Sequence, residues 1–149
     1  MEKVKILVVE DECIIAQSLC RTLERLGYTT LEVAASGEKA ISLAEKHNPD
    51  LVLMDIILKG EMDGIETARI ILSSFNIPVI YVTSCIGKNT RERAVATNPM
   101  GYMIKPVEES DLRNTIETAL LEKKLEFFKS PRTISKRVPP LLILFLNAL

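Results

Sequence analysis

The sequence has little that would support nucleic-acid binding, a disulfide framework or a zinc site. Its 19 Lys and Arg residues are matched by 20 Asp and Glu, for a formal net charge of −1, whereas a nucleic-acid-binding chain needs a basic excess. The three cysteines, Cys13, Cys20 and Cys85, are odd in number and lack a CxxC spacing, and His47 is the single histidine. We therefore expect no nucleic-acid partner, and thiols that are reduced, inert and buried.

Long apolar runs are also missing. The amino-terminal "MEKVKILVVEDE" holds only a short apolar run that acids cut off, which is not typical of a signal peptide. The apolar tail at residues 141–149 is far shorter than the roughly 20 residues that span a bilayer. These absences predict a cytoplasmic protein, and they argue against membrane contact by the tail.

What is present is a regular alternation of two patterns. Five short apolar runs indicate strands, and five segments with helical spacing separate or follow them. The predicted strands are residues 6–9, 28–34, 51–54, 79–82 and 102–104, and the predicted helices are about 15–26, 37–44, 64–72, 90–97 and 108–128. Such alternation predicts an α/β fold with a doubly wound, five-stranded parallel sheet and helices on both faces.

Polar residues follow the predicted strands at the carboxyl ends, where this architecture forms its binding crevice. They are Glu10-Asp11-Glu12, Asp55, Thr83-Ser84 and Lys105-Pro106. Singly, several have a plain structural interpretation: an acid that caps a helix, a hydroxyl bonded to its own backbone, a solvated lysine. Asp55 is harder to explain in that way, because it ends a buried strand with no cation beside it.

Carboxylates crowded into one crevice repel each other, and a hard divalent cation relieves that repulsion. Oxygen ligands without His or Cys suit Mg²⁺, which is commonly held by one or two carboxylates together with a phosphoryl oxygen. The strand ends therefore predict a magnesium-dependent phosphoryl site.

This set of residues resembles the receiver domain of two-component response regulators. The resemblance covers about residues 3–126 and is carried by Glu10-Asp11, by "LVLMDIILKGEMDGIETA" around Asp55, by Thr83-Ser84 and by "YMIKP" at 102–106. It implies a flavodoxin-like, chemotaxis-regulator-like fold with strand order 2-1-3-4-5. It also implies a signalling domain that catalyses only its own phosphorylation and dephosphorylation.

The resemblance implies a role for each acidic residue. Asp55 matches the phosphoacceptor, which takes its phosphoryl group from a sensor histidine kinase or a small phosphodonor. Asp11 and Asp55 match direct ligands of Mg²⁺, with Mn²⁺ as an alternative, and Glu10 matches a ligand through water. The backbone carbonyl of Ile57 matches the remaining protein ligand, and no other cofactor is implied.

Three further residues match the family's switching apparatus. Thr83 matches the hydroxyl that binds a phosphoryl oxygen, Lys105 the cation paired with the phosphate, and Tyr102 the aromatic switch residue. Pro106 matches a proline whose preceding peptide bond is often cis. Phosphorylation is then expected to change the surface of helix 4, strand 5 and helix 5, which a downstream protein reads.

Three other functions are compatible with an Asp or acidic cluster at strand ends. A phosphatase with an Asp nucleophile commonly needs a second acid two residues on, where this chain has Ile57. A cofactor-binding module needs a loop of free N–H donors after strand one, where "VVEDECI" offers three carboxylates. A degenerate receiver that acts only as a protein-interaction module stays open.

Ile57 and Cys85, which the resemblance places beside the path of attacking water, are both apolar or nearly so. We therefore expect slower self-hydrolysis of the phosphoryl group than in a chain with Asn or Glu at position 57.

The residues after the receiver pattern form three further segments. We assign 1–126 to the receiver domain and 127–149 to a helix extension, a basic Pro-containing linker ("KSPRTISKRVPP") and an apolar tail, with no recognisable output domain. Such a chain is a stand-alone receiver or one cut from a longer protein. Homodimerisation through helix 4, strand 5 and helix 5, or through the extended helix 5, is a further expectation.

Overall fold

The computed structural model describes residues 3–84 and 87–129. Its five strands form one parallel sheet in the order β2-β1-β3-β4-β5. They are β1 (Lys5–Val9), β2 (Thr29–Thr30), β3 (Leu51–Met54), β4 (Val79–Thr83) and β5 (Gly101–Ile104). The predicted doubly wound sheet and its strand order are confirmed.

Five helices connect or follow the strands. They are α1 (Cys13–Arg25), α2 (Gly37–His47), α3 (Gly64–Phe75), α4 (Lys88–Val95) and α5 (Glu109–Lys129). Two begin at side-chain caps: Ser36 Oγ accepts from the Lys39 N–H at 3.2 Å, and Asp63 Oδ1 accepts from the Glu66 N–H at 2.9 Å. Such caps satisfy N–H groups that a helix leaves unpaired.

The sheet separates two apolar clusters. One contains Leu23 of α1 and three residues of α5, and the other contains buried residues of α2, α3 and α4. Strand β3 supplies both, because Leu51 and Leu53 face the first cluster while Val52 and Met54 face the second. A strand covered on both faces needs apolar residues at every position, which explains the run "LVLM".

Strand β2 is shorter than the predicted 28–34. The N–H groups of Thr29, Leu31 and Ala34 donate to Val4, Ile6 and Val8 of the neighbouring segment at 2.9–3.1 Å. A regular ladder would use every second residue, so the step from Leu31 to Ala34 contains one extra residue. This irregularity interrupts the strand, and a single bridge between Val9 and Ala34 follows it.

Helix α4 is lightly packed. Of its eight residues, all within the described part of the chain, Ala94 alone is buried. By contrast α5 buries Leu112, Ile116 and Ala119 against the sheet, as predicted for its inner face. Beyond Ala119 this helix continues to residue 129 and exposes Leu121 and Leu125.

The linker and tail at 130–149, and Cys85, lie outside the described residues. Cys13 is exposed, so the prediction that the thiols are buried is wrong there, while Cys20 is half-buried. Cys13 is the first residue of α1, and the buried residues of this helix, Ala16 and Leu23, lie further along it. None of the helices built by the described residues has the length and apolar character needed to traverse a bilayer.

Candidate phosphoryl and metal site

The carboxyl ends of β1 and β3 bring three acids together. Val9 pairs with Met54 in the sheet, so Glu10 and Asp55, the next residues, lie side by side. One carboxylate oxygen from each of Glu10, Asp11 and Asp55 lies within 4.8 Å of the other two. The crowding expected from the sequence is therefore present in the fold.

The counter-charge of Asp55 comes from Lys105, the residue that follows β5. The Asp55 side chain is nearly buried, and its Oδ2 accepts a hydrogen bond from Lys105 Nζ at 3.0 Å. Its Oδ1 accepts a weaker one from the Ile57 N–H at 3.3 Å. The acid that no neighbour in sequence could neutralise is thus paired in space.

Lys105 is shared between two acids. Its side chain is 17% exposed, and Nζ also donates to Glu10 Oε1. Burial alone would lower the pKa of Lys105, but the hydrogen bonds and charges of Glu10 and Asp55 outweigh it and raise that pKa. Lys105 therefore belongs to the acidic cluster and is not a solvated surface cation.

Glu10 is the most buried acid of the cluster, with 3% exposure. Burial raises its pKa, the negative charge of Asp55 acts in the same direction, and the hydrogen bond from Lys105 opposes both. A cation placed among these oxygens would relieve the repulsion between them. The all-oxygen donor set fits Mg²⁺ or Mn²⁺, with Asp11, Asp55 and Glu10 as the residues that would hold it.

Asp11 does not cap helix α1. The cap residue is Glu12, which makes no side-chain hydrogen bond to the helix. Asp11 Oδ2 instead accepts from the backbone N–H of Lys59 at 3.0 Å, which ties the loop after β3 to the end of β1. The simpler interpretation of Asp11 as a helix cap is wrong, and the sequence gives no signal for the Lys59 contact because it joins residues 48 positions apart.

Gly64 is a site-supporting residue that the sequence indicated only as a helix start. A Cβ at this position would lie 1.9 Å from the backbone oxygen of Asp55, and the Gly64 N–H donates to Ile56 O at 2.7 Å. A contact that close leaves room for no side chain. The first turn of α3 therefore rests directly on the peptide that follows Asp55.

The remaining predicted residues lie on β4, β5 and the loop after β3. Thr83 is fully buried at the end of β4, where it pairs with Ile104. Tyr102 is half-buried on β5, its ring 6.0 Å from that of Tyr81 and 5.6 Å from the Arg91 guanidinium. Ile57 is 60% exposed beside Asp55.

The peptide bond between Lys105 and Pro106 is cis, as the resemblance implied.

The comparisons with known proteins agree with this geometry. The sequence model of the response regulator receiver domain matches residues 6–117, and the chain belongs to that family. The transcriptional regulatory protein PdtaR of Mycobacterium tuberculosis is 37% identical over 116 residues, which are 78% of this chain and 56% of that protein. The heme response regulator HssR of Staphylococcus saprophyticus is 32% identical over 76% of this chain and 50% of its own length.

Solved structures show the same fold. The signal receiver domain of a modulated diguanylate cyclase from Desulfovibrio desulfuricans is 42% identical, with a TM-score of 0.81 over 84% of this chain and 99% of that one. A CheY-like receiver domain protein from Methanospirillum hungatei gives 0.77 at 28% identity, over 84% and 99%. The chain spans about half the length of the curated relatives it matches. It is thus a receiver domain of the kind used in two-component signalling.

Proposed function

We propose that this chain accepts a phosphoryl group on Asp55, in a magnesium-dependent reaction, from a sensor histidine kinase or a small phosphodonor. The observation that carries the proposal is the position of the Asp55 carboxylate, 3.0 Å from the Lys105 ammonium and in one cluster with Glu10 and Asp11. In this interpretation the chain is a cytoplasmic signalling domain and acts on no outside substrate.

The reaction forms one bond and breaks one. A carboxylate oxygen of Asp55 attacks phosphorus, the P–N bond to the donor's imidazole breaks, and the imidazole nitrogen leaves with the electron pair and takes up a proton. Charge then spreads over the equatorial phosphoryl oxygens, and preorganised cationic and hydroxyl groups stabilise it. Lys105 and the Thr83 hydroxyl are the residues proposed for that task.

The metal would be held by Asp11 and Asp55, by Glu10 through water and by the carbonyl of Ile57. When bound, it neutralises phosphoryl charge and orients the group for in-line attack. Lys105 already offsets part of the acidic cluster. We propose that its ammonium moves from the Asp55 carboxylate to the phosphoryl oxygens as these arrive.

The output follows from the change in charge. A phosphoryl group brings about −1.5 to −2 charges and strong acceptor oxygens to a position where one carboxylate stood. We propose that Thr83 turns toward that group and that Tyr102, which packs near Tyr81, shifts with it. The surface of α4, β5 and α5 then changes population toward a form that a downstream protein, or a second copy of this chain, binds.

The proposed receiver domain spans residues 1–126, while 127–149 would comprise a helix extension, a basic Pro-containing linker and an apolar tail. No DNA- or RNA-binding role is assigned to this chain, given its balanced charge.

The test is phosphate incorporation from a small phosphoramidate, followed by intact mass. Wild-type protein with Mg²⁺ should gain one phosphoryl group, and chelation of the metal should abolish the gain. Asp55→Asn should remain unmodified, whereas Asp111→Asn, a change to another exposed acid, should behave as wild type. A wild-type chain that folds, binds Mg²⁺ and stays unmodified would instead support a degenerate receiver that acts only by protein binding.

A further inference from the structure

Helix α4 makes little apolar contact with the rest of the domain, but it also forms an ion pair with the start of α3. Arg93 Nη2 of this helix donates to Asp63 Oδ2 at 3.1 Å. Asp63 ends the loop that follows Asp55 and begins α3. The ion pair therefore joins the helix with the smallest buried face to the segment that carries the phosphoryl site.

Contacts that do not involve Arg93 also fix the position of Asp63. Its Oδ1 accepts from the Glu66 N–H at 2.9 Å, and its backbone oxygen accepts from the Thr67 hydroxyl at 2.8 Å. One carboxylate oxygen is thus committed to capping α3, which points the other at α4. A side chain fixed in this way loses little conformational freedom when it forms the ion pair.

The start of α3 is in turn in contact with the backbone of the phosphoacceptor. Gly64, the next residue, donates to Ile56 O at 2.7 Å, and the Asp55 carbonyl lies where its Cβ would be. Within the intervening loop the Lys59 N–H is bonded to Asp11. Any change that tightens or shifts this loop around Asp55 and Asp11 therefore acts on Asp63 through short, directly bonded steps.

From these contacts we infer that Asp63 is a positioning residue: through its ion pair with Arg93 it couples the state of the phosphoacceptor loop to the position of helix α4. The route is separate from that of Thr83 and Tyr102, because it runs through α3 and not through β4 and β5. This inference rests on the proposed function. Both charged side chains are partly exposed, at 47% for Arg93 and 33% for Asp63, so the coupling should be modest, about two- to five-fold.

The test uses a pair of variants that separate capping from charge. Asp63→Asn keeps an oxygen able to cap α3, since Asn caps helices about as well as Asp, but it removes the negative charge that Arg93 meets. Arg93→Met removes the other charge from an exposed position. Arg21→Met changes an exposed arginine of α1, on the opposite face of the sheet, and serves as the matched control.

Each protein is treated with phosphoramidate and Mg²⁺, phosphate on Asp55 is measured by mass, and hydrogen exchange is followed in residues 88–97. We expect phosphorylation to change amide protection in α4 of the wild type and of Arg21→Met. In Asp63→Asn, Arg93→Met and the double variant that change should shrink by about two- to five-fold while phosphate incorporation persists. The double variant should lose no more than either single variant, because all three lack the same pair.

Two results would overturn the inference while leaving the proposed function intact. One is a full α4 response in phosphorylated Asp63→Asn and Arg93→Met, and the other is an equal loss in Arg21→Met. Wild-type protein that takes no phosphate would overturn the proposed function and this inference together. If Asp63→Asn fails to fold in a urea titration, Arg93→Met carries the comparison, since its change lies on the surface of α4.

Discussion

Lys105 Nζ lies 3.0 Å from Asp55 Oδ2, although the two residues are 50 positions apart in the chain. The parallel sheet makes this contact: β3 and β5 flank β4, and both end at the same edge. The same ammonium also binds Glu10. One cation therefore holds two acids that would otherwise repel each other, so its removal should affect both folding and chemistry.

Lys105→Met should destabilise the fold and slow phosphorylation. The variant keeps most of the aliphatic stem but leaves Glu10 and Asp55 without their shared donor, at an expected cost of about 1–3 kcal/mol in free energy of unfolding. Urea unfolding measures that cost, and phosphoramidate incorporation measures the second effect. Lys123→Met removes a lysine that binds a backbone oxygen on the protein surface and is the control. A Lys105 variant as stable and as reactive as wild type would contradict the role given to this residue.

Mg²⁺ should stabilise the folded chain through the acidic cluster. A ligand that binds only the native state adds stability that grows with its concentration, about 2.7 kcal/mol at one hundred times its dissociation constant. We expect the urea midpoint of the wild type to rise with added Mg²⁺ and that of Asp11→Asn to rise much less. Asp50→Asn, at the opposite edge of the sheet where Asp50 binds the Lys5 N–H, should keep the wild-type dependence. Equal dependence in Asp11→Asn would remove that residue from the metal site.

Gly64→Ala should be strongly destabilising, by about 3 kcal/mol, because the new Cβ would overlap the Asp55 carbonyl and neither backbone can move freely. Gly87→Ala is the matched control: its φ is −61°, and the nearest atom to an added Cβ, Thr90 Oγ1, lies at an ordinary 3.7 Å. We expect that control to stay within about 1 kcal/mol of wild type. Denaturant unfolding of both variants measures the difference, and similar stabilities would show that α3 does not press on the peptide bond that follows Asp55.

Ile57→Asn should shorten the life of the phosphoryl group. The side chain is 60% exposed beside Asp55, so the change should leave folding nearly unaffected while offering a polar group that can orient water. We expect hydrolysis to quicken by on the order of ten-fold, below the roughly 10²–10⁴ that a positioned general base supplies. Decay of phosphate after removal of the donor gives the rate. Leu121→Asn, a change at similar exposure on α5, should lose phosphate at the wild-type rate. Phosphate loss at the wild-type rate in Ile57→Asn as well would contradict the hypothesis.

The sequence predicted most of this fold because its central strands β1, β3 and β4 are buried on both faces and therefore appear as uninterrupted apolar runs, as in residues 51–54. Polar residues directly after these runs marked the strand ends. Because parallel strands end at the same edge of a sheet, these residues could also be expected to lie close together. What it could not predict were contacts set by the close approach of distant segments. The Lys59 bond to Asp11 and the packing of Gly64 on Asp55 are of that kind. The early end of β2 depends on a single extra residue that apolar patterning does not register.

Helix α4 has a single buried side chain, so its apolar burial energy is small compared with that of the other helices. Ala94 is the one buried residue of α4, so this helix contributes little more than one methyl group of its own to the core, worth roughly 0.8 kcal/mol, whereas α3 contributes Ile65, Ala68 and Ile71. The energy of a few charge-assisted hydrogen bonds at a modified carboxylate is therefore comparable to the apolar burial energy of α4, but smaller than that of α3. Under the proposed function, this unequal allocation of apolar residues among the helices would direct the response to α4.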